Sequence, residues 1–218
     1  MPGSGIVDTV YTNTSNMSNL MPDTEYDFYV RLLCGISDTS VLKGPFSFRT
    51  ECLYTAPYLE TFNDTIIHEC WFAHNQLNQS QPNAQWKSAG TFGFPGYGAQ
   101  NAIDHTGNSG SAIGVDGSSP YPLDSIAILS PFIDVSQLKK PKLSFWLFSN
   151  NTNYPGNNNS FYLDFHDGTQ WNDSVIVYRA DSANWVELTL ALDQCTITGM
   201  VRFRLVVDKD SLNAAFYN

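Results

Sequence analysis

An antiparallel all-β sandwich is what this 218-residue sequence predicts. Its apolar residues recur at every second position in short runs, so that each run would bury one face of a strand. Gly, Pro, Asn and Asp bound those runs, and these are the residues that supply turn geometry. The chain is 42% hydrophobic and 14% aromatic but only 15% charged, against roughly 25% charged in an average soluble domain. That balance suits sheets over an aromatic core and excludes a disordered chain or a coiled coil.

In chain order, the clearest alternating runs are Tyr26, Phe28 and Val30, then Phe46 and Phe48, then Leu143 and Phe145. Phe161, Leu163 and Phe165 follow, then Val186, Leu188 and Leu190, and last Val201, Phe203 and Leu205. Each is expected to present one buried face to a second sheet. Trp146 and Trp185 fall within such strands and are assigned to the core, whereas Trp71, Trp86 and Trp171 are left unassigned. Between Cys52 and Tyr58 the strand ending FSFRT gives way to ECLYTAPYLETF with its Pro57, which marks a boundary between two modules, residues 1–52 and 53–218. The Gly- and Asn-rich stretches TFGFPGYGAQ and SNNTNYPGNNNS, broken by Pro95 and Pro155, read as loops.

The formal net charge of −10 would repel a phosphate backbone, so nucleic acid is excluded as a natural partner. No run approaches the roughly 18 apolar residues of a membrane span, so no membrane insertion is expected, and the first residues do not read as a signal peptide. Cys34, Cys52, Cys70 and Cys195 are too far apart for a zinc knuckle, which leaves disulfides or buried thiols and favours an oxidising compartment. Asn-X-Ser/Thr triplets at Asn63, Asn78 and Asn172 fit an exported protein.

LMPDTEYDFYV spaces Leu20, Pro22, Thr24 and Tyr26 two apart before an alternating strand, and so resembles the tyrosine-corner strand of fibronectin type III domains. The resemblance implies that the Tyr26 hydroxyl bonds back to the backbone, that GPFSFRT is the last strand and that Val7 to Tyr11 form an earlier one. A whole sandwich of this kind needs about 100 residues, so the first module reads as the C-terminal part of one. In a bacterial variant a Cys in the Tyr strand faces a Cys after the last strand, which implies a Cys34–Cys52 bond.

The second module carries, in order, LETFND, ECWFAHN, QWKSAG, IDHTGNSGSAIGVDGS, DSIAILSPFIDVS, PKLSFWLF, WVELTLAL and VRFRLVV. This series resembles a MAM domain or the related cleaved-adhesin jelly roll of bacterial surface proteins. Asp104-His105-Thr106 before a Gly-rich turn, Leu129-Ser130-Pro131 and Leu143-Ser144-Phe145-Trp146 carry the match. The family's Cys and Glu are absent beside Phe62-Asn63, and Lys142 stands where another Cys is usual. Cys70 is thus left to pair with Cys195, with Cys52 or with neither, and the series stops short of the family's closing strand, so both ends read as cut through a domain.

The resemblance implies a structural cation, often calcium, for which Glu60, Asn63, Asp64 and Asp104 are the oxygen ligands this sequence offers. Otherwise Asp104 and His105 only cap a turn. His68 and His74 flank ECWFA without the HExxH spacing of a metalloprotease and read as surface residues. Asp164 and Asp167 in LDFHDG offer the two carboxylates of a glycosidase pair, but they flank an expected hairpin turn, where Asp and Gly are ordinary. No nucleophile elbow or phosphate loop occurs. Phe92, Phe94 and Tyr97, with Tyr121 and Tyr154, are the candidate exposed rings for ligand binding. The expectation is therefore a non-catalytic module of a secreted or cell-surface protein, binding a protein or glycan at a surface or matrix or targeting an attached enzyme. A carbohydrate-binding module is the alternative, and a jelly-roll glycosidase the less favoured one.

Overall fold

A computed structural model describes residues 5–35, 38–64, 66–74, 86–89, 104–106, 111–115, 126–149, 159–180, 182, 184–193 and 197–208. Every regular element among them is a strand, so the all-β class is what the chain adopts. The chain divides into two compact units, Met1–Leu53 and Tyr54–Asn218.

In the first unit, β1 (Glu25–Val30) pairs with β2 (Lys43–Arg49). Tyr26 lies opposite Phe48 and Phe28 opposite Phe46, with ring centroids 5.8 and 5.2 Å apart, so alternation does gather the rings on one face. That face is not buried: Phe28, Val30, Phe46 and Phe48 stay 37–52% exposed. A two-stranded ribbon supplies only one layer, and a pleated face needs a second layer to exclude water. The Tyr26 hydroxyl accepts a 2.9 Å hydrogen bond from the Met21 N–H, the link back to upstream backbone that was expected of it. Val7 to Tyr11, expected as a strand, form none and are exposed.

Next along the chain are the short strands β3 (Leu53–Thr55), β4 (Phe72–His74), β5 (Lys87–Ala89) and β6 (Ala112–Gly114). Next come β7 (Ile126–Leu129), β8 (Phe132–Asp134), β9 (Lys142–Leu147) and β10 (Ser160–His166). The last are β11 (Trp171–Tyr178), β12 (Val186–Ala191) and β13 (Met200–Asp208). The main sheet runs β11-β10-β13-β7-β4, with β8 on the other end of β13 and β3 beside β8. β9 and β12 form a second, two-stranded sheet, and β5 with β6 a third. The β1–β2, β10–β11, β10–β13, β9–β12, β7–β13, β8–β13, β4–β7 and β5–β6 pairs are antiparallel.

Phe161, Leu163 and Phe165 of β10 and Val201 and Phe203 of β13 point inward and are at most 5% exposed. Leu143, Phe145 and Leu147 of β9 and Leu190 of β12 pack against them, with Phe145 5.7 Å from Phe161. Two sheets thus face each other over interdigitated side chains, as the sequence predicts for a sandwich. Burying Leu163 alone contributes roughly 1.5–3 kcal/mol.

The Leu129-Ser130-Pro131 motif makes the jog between β7 and β8. β7 pairs with residues 204–207 of β13 and β8 with residues 200–201. Between them Pro131 has no N–H to give, and Ser130 bridges the gap. Its N–H donates to the Phe203 carbonyl and its hydroxyl oxygen accepts the Phe203 N–H, each at 2.9 Å. Ser130 is 1% exposed, so no water can substitute.

Candidate functional site

The placement of each sequence-derived candidate can be followed from strand parity. On β9, Leu143, Phe145 and Leu147 face the core, so Lys142, Ser144 and Trp146 must face outward. Trp146 is accordingly 43% exposed, which corrects its assignment to the core. Trp185 precedes β12 and is half-buried.

His105 lies flat on Trp146, with ring centroids 3.7 Å apart and planes inclined by 19°. Trp185 meets His105 edge-on, with ring centroids 6.1 Å apart, and Phe148 stands 5.4 Å from Trp185. Two motifs more than 35 residues apart in sequence, Asp104-His105-Thr106 and Leu143-Ser144-Phe145-Trp146, therefore meet in one aromatic cluster. Asp104 accepts a hydrogen bond from the Thr106 hydroxyl, which closes the turn and presents the His105 ring. Glu187 sits across the ladder from Trp146 and Thr189 across from Ser144, both exposed. A partly open indole held in place by a stacked imidazole, beside hydroxyl and carboxylate groups, is chemically suited to stack a sugar ring or seat an apolar anchor.

The carboxylates lie in other settings. Asp164 points from β10 onto the outer face and is 4% exposed. Arg204 Nε donates to it at 2.7 Å and the Ser174 N–H at 2.7 Å. Ser174, at φ 55°, sits where β11 bulges away from β10, so the Asp164 carboxylate plugs the bulge. Arg204 also reaches Asp173 at 3.0 Å and lies 4.6 Å over the Trp171 ring. Asp164 therefore lies inside a strand rather than beside the turn. Asp167 does open the 167–170 turn, accepting from the Thr169 hydroxyl and from the Thr169 and Gln170 N–H groups at 2.7–2.9 Å. Those donors, the Thr169 hydroxyl foremost, hold its pKa well below the usual carboxylate range.

No protein family, curated protein or solved structure matches the chain.

The four candidate cation ligands, Glu60, Asn63, Asp64 and Asp104, differ in their settings. Glu60 already accepts from Tyr58 at 2.9 Å, the Phe62 N–H at 3.0 Å and the Trp71 indole at 3.1 Å. Burial pushes the Tyr58 hydroxyl well above its ordinary value, and Glu60 adds to this, so Tyr58 stays a proton donor to Glu60. Asn63 and Asp64 are exposed, and among the described residues Glu60, Asp64 and Asp104 do not bring their carboxylates within 4.8 Å of one another. His68 is exposed and accepts the Cys70 N–H on Nδ1 at 3.2 Å, an ordinary turn role. The side chain of His74 and the rings of Phe92, Phe94, Tyr97, Tyr121 and Tyr154 lie outside the described residues.

Cys52 is bonded to Cys70, and both are buried. The expected Cys34–Cys52 bond is thereby corrected: Cys34 is a free, exposed thiol. Cys195 lies outside the described residues. Among those residues, no helix is long and apolar enough to cross a membrane.

Proposed function

We propose that the chain is a non-catalytic recognition module of a secreted or cell-surface protein, its rigid sheets holding an aromatic contact for a protein or glycan ligand. Adhesion, protein association or the targeting of an attached enzyme would all use such a surface. One observation carries the reading: Trp146, a large ring on an outward strand face, is left 43% exposed and braced by His105 rather than buried. A large ring held on an outward face offers a flat anchor for a sugar ring or an apolar side chain of a partner. The buried Cys52–Cys70 bond supports passage through an oxidising compartment. The resemblance of the two modules to fibronectin type III and MAM-like domains points the same way.

The glycosidase alternative loses support at Asp164 and Asp167. Asp164 is buried and held by Arg204 and the Ser174 N–H, and Asp167 is held by the donors of its own turn, so neither carboxylate stands open to a glycosidic oxygen. The deciding measurement is a glycan array and a cell-surface binding assay run on the wild type and on Trp146→Ala. Loss of binding in the variant with an unchanged melting temperature supports the site, and a sugar on the array would favour the carbohydrate-binding alternative over protein association. Ligand binding that ignores Trp146→Ala would remove the site. Polysaccharide turnover abolished by Asp164→Asn in a folded variant would overturn the non-enzyme reading.

A further inference from the structure

We propose that Asn16 is an N-glycan acceptor, chosen by the fold over Asn13 and Asn172; the inference rests on the reading of the chain as exported. Three Asn-X-Ser/Thr triplets are described in full: Asn13-Thr14-Ser15, Asn16-Met17-Ser18 and Asn172-Asp173-Ser174. The sequence motif treats them alike. Their surroundings do not.

In glycosyl transfer the Asn Nδ2 attacks the anomeric carbon of a lipid-pyrophosphate-linked oligosaccharide. The Nδ2–C1 bond forms, the C1–O bond breaks, the lipid pyrophosphate leaves with the electron pair, and Nδ2 gives up one proton. The amide must therefore spare a hydrogen and have room for a sugar ring beside it. Asn172 has neither. Its Nδ2 donates to Asp167 Oδ2 at 3.2 Å and to the Phe165 carbonyl at 3.4 Å, which occupies both hydrogens. Its backbone is also in β11, opposite Phe165, where a sugar would part the two strands.

Asn13 lies in an exposed segment, but the hydroxyl of its triplet is engaged: Ser15 donates to Asp8 Oδ2 at 2.9 Å. In the Asn16 triplet all three residues are exposed and outside any strand, and the side chains of Asn16 and Ser18 bond to no other described residue. Asn16 is thus the triplet in which both amide and hydroxyl are open to a donor. With its neighbour only three residues away, a glycan on Asn16 would also shield Asn13.

The test incubates the native, disulfide-bonded protein with an oligosaccharyltransferase and its lipid-pyrophosphate oligosaccharide and reads occupancy at each triplet by peptide mass spectrometry. Synthetic peptides spanning the triplets give the acceptor strength without the fold. Relative to those peptides, native Asn16 should keep its occupancy while Asn172 falls at least about tenfold, the factor that losing roughly one hydrogen bond would impose. Asn16→Gln and Ser18→Ala should each abolish the native signal without moving the melting temperature. Native protein modified at Asn172 or Asn13 ahead of Asn16, or left bare at Asn16, overturns the assignment. Export is read separately, from whether Cys52–Cys70 is oxidised in protein taken directly from the producing cell.

Discussion

Replacing Asp164 by alanine should destabilise the larger unit by about 3–5 kcal/mol, the range found when one partner of a buried pair is removed. The structure gives the components. Asp164 has a 6% exposed side chain and takes two 2.7 Å hydrogen bonds, one from the Arg204 guanidinium and one from the Ser174 N–H. Each such bond to a charged group contributes roughly 1.5–3 kcal/mol. The loss is held below their sum because Arg204 keeps Asp173 at 3.0 Å and is itself 30% exposed. At about 2–4 °C per kcal/mol for a unit of this size, the melting temperature should fall by roughly 6–20 °C. Asp164→Asn keeps an acceptor for Ser174 and removes only the charge, so about 1.5–3 kcal/mol is expected. Urea and thermal unfolding followed by tryptophan fluorescence would read both variants, with Trp171 reporting locally. A double-mutant cycle with Arg204→Gln should give a coupling of about 1–3 kcal/mol. An alanine variant that melts within about 3 °C of wild type, less than even 1.5 kcal/mol would cause, would show that Asp164 does not hold the bulge.

Ser130→Ala removes the acceptor for the buried Phe203 N–H, and about 1–3 kcal/mol should be lost; full stability by urea denaturation would mean that the jog between β7 and β8 closes without it. Gly168 has φ +96°, and a Cβ there would collide with the Thr198 hydroxyl and come within 2.8 Å of the Met200 carbonyl. Gly168→Ala should therefore lower the melting temperature more than an alanine at an open surface glycine such as Gly35, and equal melts would refute this. The Asp167 pKa is lower in the folded protein than in the unfolded chain, so its contribution is fully present above the unfolded pKa near 4. It is lost as pH falls through the folded value, and Asp167→Asn should flatten that acid limb of a stability-against-pH curve. A variant whose acid limb overlays wild type would show that the turn does not depend on the ionised carboxylate.

The outward position of Trp146 is legible in the alternation: Leu143 and Phe145 face inward, and a period of two puts residue 146 on the opposite face. A place within a strand does not by itself say which face a side chain takes. The partner of Cys52 was not legible, since four cysteines allow several pairings and only the path of the backbone decides which sulfurs meet. Ser130 stands in a sequence motif, but its role comes from β13 running past both β7 and β8. Asp164 and Asp167 are three residues apart, with the same side chain, yet one plugs a bulge and the other caps a turn.

The sequence by itself determined the class: alternation, turn residues and low charge dictate antiparallel sheets because these are local properties that every run expresses independently. It also determined which residues of β10, β13, β9 and β12 face the core. Tertiary structure alone decided what lies outside that core. The β1–β2 aromatic face is exposed, His105 finds Trp146, and Arg204 finds Asp164, because these outcomes depend on which distant segments the topology brings side by side. Periodicity is carried by neighbours in sequence, whereas a site is made by neighbours in space.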